Sequence, residues 1–195
     1  VLLDWAKDEL GCELKENPAR ELKVRGISDA RIPYLTQEEE KRLLQELSHC
    51  RNPEHKRLVQ LALATAMRRS ELLSLKWSDL DLNQGLARLN RKDCAAQGRQ
   101  QSQRLVPLSP SAIKLLKQYP KRGSDLFDLS RGASRYAFDR ARKTAGLTQL
   151  HFHDLRHIAI TKMWSEGMTA LEISAASGHK DLRMLMRYSH YAPKS

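Results

Sequence analysis

The chain has 195 residues, with 34 lysines and arginines against 23 aspartates and glutamates, a formal net charge of +11. Its 41% hydrophobic and 29% charged residues are enough for one sizeable domain with a buried core and exclude a wholly disordered chain. No apolar run approaches the roughly 18 residues of a bilayer-crossing helix, Val1 to Lys7 lacks a signal peptide's basic and apolar segments, and Cys12, Cys50 and Cys94 form neither a disulfide framework nor a C-x-x-C pair, whereas the positive surplus favours a polyanionic partner, nucleic acid first.

In chain order, Leu2 to Leu10 has apolar positions at helical spacing, and residues 1–16 read as the last helix of a preceding, truncated domain. Residues 17–34, with Arg20, Lys23, Arg25 and Arg31, read as a basic linker. A compact domain, 35–195, then begins at a capping box, Thr36 with Glu39, which predicts a helix to Ser48 carrying Leu43, Leu44 and Leu47. Asn52-Pro53 opens a second helix through Leu58, Leu61 and Ala64, and a short helical stretch spans Ser70 to Leu75. The pattern then changes to alternation. Leu80 and Leu82, the turn Asn83-Gln84-Gly85, Leu86 and Leu89, and Arg104 to Leu108 predict a small antiparallel sheet. Between its last two strands, Arg91 to Gln103 reads as an exposed, mobile loop. Helices follow at Pro110 to Gln118 behind Ser109, Ser134 to Ala145, His153 to Glu166, Thr169 to Ser177 behind a second capping box, and Asp181 to Tyr188, the last with Leu182, Leu185 and Met186 on one face. The fold class is α+β, mainly helical with a small antiparallel sheet.

Several places could carry chemistry. Arg68-Arg69 lies between an apolar run and a helix, which is also where solvated arginines are ordinary. His151-Phe152-His153-Asp154-Leu155-Arg156-His157 gathers three histidines and an arginine. His153 and His157 at i and i+4 could hold a metal, yet Arg156 would set a fixed cation beside it. His153 with Arg156 near a helix N-terminus suits a phosphate better, since arginine offers a fork of donors and histidine can move a proton. Ser177-Gly178-His179 ends a helix, and Tyr188 follows His179 by nine residues.

Taken together, these residues resemble the tyrosine recombinases, also called the phage integrase family. Ala66-Met67-Arg68-Arg69-Ser70-Glu71-Leu72, with Leu75 to Asp81 behind it, is similar to the family's first box. His153 to His157 is similar to the second, and Ser177-Gly178-His179 with Arg187-Tyr188-Ser189-His190 to the third. The likeness covers about Leu35 to Pro193. The family usually has glycine where Ala66 stands and leucine where Ser177 stands.

The resemblance implies a tyrosine recombinase catalytic-domain fold and DNA cut and rejoined through a 3′-phosphotyrosyl link, to integrate, excise or invert a mobile element. It implies Tyr188 as nucleophile, Arg68 and Arg156 on the developing phosphate charge, and Lys92 as acid for the leaving 5′ oxygen. His153 would assist proton transfer near Tyr188, and His179 would bind the phosphate. No metal or cofactor is required. The implied partner is double-stranded DNA, bound by a homotetramer that is monomeric when free, with no membrane, in the cytoplasm of a bacterium and on its nucleoid. The other readings left open are an idle DNA-binding module, a metal-dependent nuclease built on the histidines, and a type IB topoisomerase.

Overall fold

The computed structural model of the chain describes residues 33–90 and 103–191. The helix expected over 1–16, the linker up to Ile32, and residues 91–102 with Lys92 lie outside the described residues.

Helix α1, Gln37–Ser48, starts where Thr36 Oγ1 accepts the Glu39 N–H and the Glu39 carboxylate accepts the Thr36 N–H in return. It buries Leu43 and Leu47. Helix α2, Glu54–Thr65, opens with Asn52 Oδ1 accepting the Glu54 N–H at 3.0 Å and buries Leu58, Val59, Leu61 and Ala62. Helix α3, Arg69–Leu73, and a 3₁₀ turn at Trp77–Asp79 lead into the sheet. Its strands β1, Leu80–Asp81, β2, Leu86–Asn90, and β3, Gln103–Pro107, pair antiparallel in the order β1-β2-β3. Leu86 faces Pro107 and Leu89 faces Arg104 in that ladder.

Helix α4, Pro110–Lys117, begins behind the Ser109 hydroxyl. Helix α5, Arg131–Thr144, starts three residues before the expected Ser134. Its cap is Ser130, whose Oγ accepts the Ala133 N–H at 3.0 Å, while the Ser134 hydroxyl donates to the Arg131 carbonyl inside the first turn. Gly132 in that turn weakens the helix signal in the sequence. Helices α6, Asp154–Ser165, and α7, Ala170–Ser177, follow, the second behind the Thr169 and Glu172 capping box.

The last helix is shorter than expected: α8 covers Arg183–Met186, and a 3₁₀ turn occupies Ser189–Tyr191. The Asp181 carboxylate accepts the Arg183 N–H, forming a turn before the helix rather than a first helical turn. The buried stripe is Leu185 with Tyr188, at i and i+3, which leaves Leu182 and Met186 partly or well exposed in place of the expected shared face.

Two apolar clusters form the interior. One joins α1, α2, α4, α5 and the sheet through Leu43, Leu58, Val106, Leu116 and Phe138. The other joins Ala159, Ile160, Met163, Ile173, Leu185 and Tyr188. Helix α6 serves both, with Leu155 in the first cluster and Ile160 in the second, so it is buried on nearly every side. That central helix also carries the histidine and arginine motif.

Candidate active site

The site begins where α2 stops. Ala66 ends that helix at φ 54 and ψ 17, a left-handed conformation that costs an L residue with a Cβ roughly 1–2 kcal/mol. The turn aims the Ala66 carbonyl at Arg156 and places Arg68 at the head of α3 in extended backbone. Arg68 donates from its backbone N–H to Glu71 Oε2 at 2.8 Å and from Nη1 to Oε1 at 3.1 Å. Glu71 also pairs with Arg104 of β3 at 3.0 Å. One buried-side carboxylate therefore orients Arg68, which keeps 46% of its side chain exposed.

From α6, Arg156 reaches the same corner. It is buried, and its Nη1 donates to the Ala66 carbonyl at 2.8 Å while Nη2 lies 3.4 Å from His179 Nδ1. Burial first, and then the neighbouring Arg68 charge, lower its proton affinity to a pKa of about 10, which leaves it a cation at neutral pH. His153 stands at the N-terminal end of α6, facing solvent, and desolvation followed by the Arg156 charge lowers its pKa. Arg68, His153 and Arg156 line one cleft of about 380 Å³, joined by Arg69 and Arg131. The Arg69 guanidinium carbon lies over the Phe152 ring, 5.4 Å from its centroid.

His179 is placed by the end of α7. Gly178 ends that helix at φ 75, with its Cα packed on Arg104: a Cβ there would fall 2.7 Å from the guanidinium. Arg104 Nη1 donates to the carbonyls of Ala175 and Ala176, so the strand β3 holds the helix end. The Ser174 hydroxyl donates to the His179 carbonyl at 2.7 Å, and Ser177 Oγ lies 2.8 Å from His179 Nδ1. Burial, with Arg156 and Arg68 next in size, pushes the His179 pKa down to about 4, so its imidazole is neutral at pH 7.

Tyr188 is only 2% exposed and does not line the cleft. Its hydroxyl lies 2.5 Å from His157 Nδ1, with the two rings stacked at 6.0 Å and 24°. Burial raises its pKa against the pull of Arg187 and Arg156, so the phenol is protonated at neutral pH. His153 meets the His157 ring edge-on at 4.9 Å.

Arg68, His153, Arg156 and His179 thus come together around the Arg156 guanidinium, and Tyr188 sits one histidine behind them. Lys92 lies outside the described residues. The sequence alone assigns no role to Glu71, Arg104 and Ser177, and it offers His157 only as a metal ligand beside His153. For His157 a signal existed, since i+4 spacing from His153 puts both rings on one face. For Arg104 it did not, because its partners are on elements 71 and 72 residues away. Among the described residues, no three His, Cys, Asp or Glu side chains gather as a metal site.

The model of the Phage integrase family matches residues 33–195. Among curated proteins, the chain is 34% identical over 191 residues to the shufflon-specific DNA recombinase of Escherichia coli, covering 97% of this chain and 48% of that one. It is 27% identical over 190 residues to the integrase of Salmonella phage P22, covering 88% of this chain and 47% of that one. The chain therefore spans about half the length of these relatives. Among solved structures, the catalytic domain of bacteriophage HP1 integrase superposes with a TM-score of 0.67 at 27% identity, over 84% of this chain and 90% of that one. A Tn1549 transposon integrase bound to circular-intermediate DNA shares the fold, with a TM-score of 0.65 at 18% identity, over 86% of this chain and 65% of that one.

Proposed function

The chain belongs to the phage integrase family, and from that premise we propose that it is the catalytic domain of a site-specific DNA recombinase, with the domain at 35–195 and a basic linker at 17–34. Its substrate is duplex DNA, bound by four copies together and by single copies before assembly, in the cytoplasm and on the nucleoid of a bacterium. The observation that carries this reading is the corner built on Arg156. One buried guanidinium touches both the turn that bears Arg68 and the ring of His179, and it lines the same cleft as His153.

The chemistry follows from that corner. A phosphodiester in the cleft meets two guanidinium groups whose forks match non-bridging oxygens and whose charge opposes the extra negative charge of a five-coordinate phosphorus. His179, neutral at pH 7, offers a hydrogen bond rather than a further cation. Tyr188 attacks phosphorus and forms a 3′-phosphotyrosyl bond, which stores the bond energy until a 5′ hydroxyl displaces it. Lys92 supplies the proton to the departing 5′ oxygen. The chain's charge of +11 favours the polyanionic substrate throughout.

The test incubates the chain with a nicked duplex that traps a covalent intermediate, with and without EDTA. A protein–DNA adduct that forms in EDTA, disappears in Tyr188→Phe and persists in Tyr191→Phe is the expected outcome. Loss of the adduct in Tyr191→Phe alone would move the nucleophile, and an EDTA-sensitive cut without an adduct would replace the recombinase by a metal nuclease.

A further inference from the structure

The histidine in contact with the Tyr188 hydroxyl is His157, from the turn of α6 that follows Arg156. We propose that His157, rather than His153, receives the Tyr188 proton when the hydroxyl attacks DNA, an inference that rests on the recombinase reading above.

The geometry supports one donor and one acceptor. A neutral phenol has a hydrogen to give, and at 2.5 Å from Oη the Nδ1 of His157 is in place to take it. The two rings lie within 24° of parallel with their centroids 6.0 Å apart, which sets the two atoms side by side. His153, by contrast, presents its ring to His157 and not to Tyr188. The groups around the His157 ring are His153, Asp154 and Arg156 from α6, His179 after α7, and Arg187 with Tyr188 from the C-terminal segment. Burial first, and then His153, keep the imidazole neutral and able to accept, while Asp154 favours the charged form that the transfer creates.

The step balances as a proton transfer coupled to displacement. The Tyr188 O–H bond breaks and the proton passes to His157 Nδ1. The freed oxygen pair forms the bond to phosphorus, and the P–O5′ bond breaks with its pair on the 5′ oxygen, which takes a proton from an ammonium acid. Reversal returns the His157 proton to Tyr188 when a 5′ hydroxyl attacks. Arg156, adjacent to His157 in the chain, ties this acceptor to the cleft where the phosphate is held.

The experiment measures the single-turnover rate of adduct formation on the nicked duplex for wild type, His157→Ala, His157→Asn and His153→Ala, with and without imidazole in the buffer, and DNA affinity for each. Loss of a general base slows a reaction by about 10²–10⁴-fold, and the expected result is a loss of that order in both His157 variants with DNA affinity unchanged. Imidazole restores His157→Ala in part, whereas His153→Ala loses less. Wild-type speed in His157→Asn, which keeps a hydrogen-bonding group but no basic nitrogen, overturns the proposal. So does a slow His157→Ala that imidazole does not restore, because that result assigns His157 to packing. If wild type itself forms no adduct while still binding DNA, the recombinase reading falls, and this proposal with it.

Discussion

Arg156 donates from Nη1 to the carbonyl oxygen of Ala66 at 2.8 Å, and Ala66 offers that oxygen from a left-handed backbone at φ 54. The hydrogen bond links α6 to the end of α2 across 90 residues of sequence, and it exists because the chain turns where a glycine would turn without strain. The family habit of glycine at this place has a physical reason here, and alanine tolerates the turn at a cost.

Replacing Ala66 by glycine should relieve roughly 1–2 kcal/mol of backbone strain while adding freedom to the unfolded chain and removing one buried methyl. These effects oppose each other, so urea denaturation should find Ala66→Gly within about 1 kcal/mol of wild type. Ala66→Val should be far worse, by more than about 2 kcal/mol, since a β-branched residue resists positive φ and Ala66 is fully buried. Equal stability of the valine and glycine variants would mean that the turn is not strained.

Gly178 is required for a different reason. Its positive φ matters, but the close approach matters more, because a Cβ would meet the Arg104 guanidinium at 2.7 Å. Gly178→Ala should therefore push Arg104 off the Ala175 and Ala176 carbonyls and lower stability by more than about 1 kcal/mol. A double-mutant cycle with Arg104→Ala checks the cause. The two losses should fall short of additivity, since the clash vanishes with the guanidinium. Strict additivity would leave backbone strain as the whole effect.

His179, His157 and His153 all have pKa values lowered from the ordinary value near 6.5, His179 to about 4. Between those values the unfolded chain binds protons that the folded chain refuses, so stability is full above about pH 6.5 and is lost as pH falls toward about 4. Urea midpoints should thus decline from about pH 7 to about pH 5, above the range where carboxylates titrate. His179→Asn should flatten that decline. A midpoint that is level across the window in wild type would show that these imidazoles do not resist protonation.

Much of this was legible in the sequence, and the limits have a common origin. The capping boxes at Thr36 with Glu39 and Thr169 with Glu172 were readable because each pairs groups three residues apart, as were the hairpin turn at Gly85 and the helix stop at Gly178. The start of α5 was obscured by Gly132, and the extent of α8 by a run of apolar residues that only tertiary packing sorts into buried Leu185 and exposed Met184 and Met186. In the site, Arg68, His153, Arg156, His179 and Tyr188 could be named from their order in the chain. The contact of Tyr188 with His157 joins residues 31 apart and depends on how α8 docks on α6, which no local pattern encodes.

The two adjacent arginines of the first box separate by their surroundings. Both line the cleft, but Arg68 is held by the Glu71 carboxylate, whereas the Arg69 guanidinium sits over the Phe152 ring. Arg68→Ala should lower the rate of adduct formation by about 10²–10³-fold, the scale for one lost contact to transition-state charge. Arg69→Ala should change the rate little. Arg156→Lys should lose rate and stability together, because a single ammonium cannot reach the Ala66 carbonyl and His179 at once. A large rate loss on Arg69→Ala with Arg68→Ala near wild type would shift the box by one residue.

The proposed acid can be separated from the proposed base by the atom that leaves. A 5′ oxygen departs with a proton, whereas a sulfur in its place departs as a thiolate and needs none. Lys92→Ala should be slow on ordinary DNA and recover on a duplex with sulfur at the bridging 5′ position. His157→Ala should stay slow on both, since the tyrosine proton must still be removed whichever atom leaves. Rates of adduct formation for the two variants on the two substrates decide the matter: a Lys92→Ala variant that remains equally slow on the sulfur-bearing duplex, or that is fully active on the oxygen one, is not missing an acid, and recovery of His157→Ala on sulfur would place His157 on the leaving-group side of the reaction.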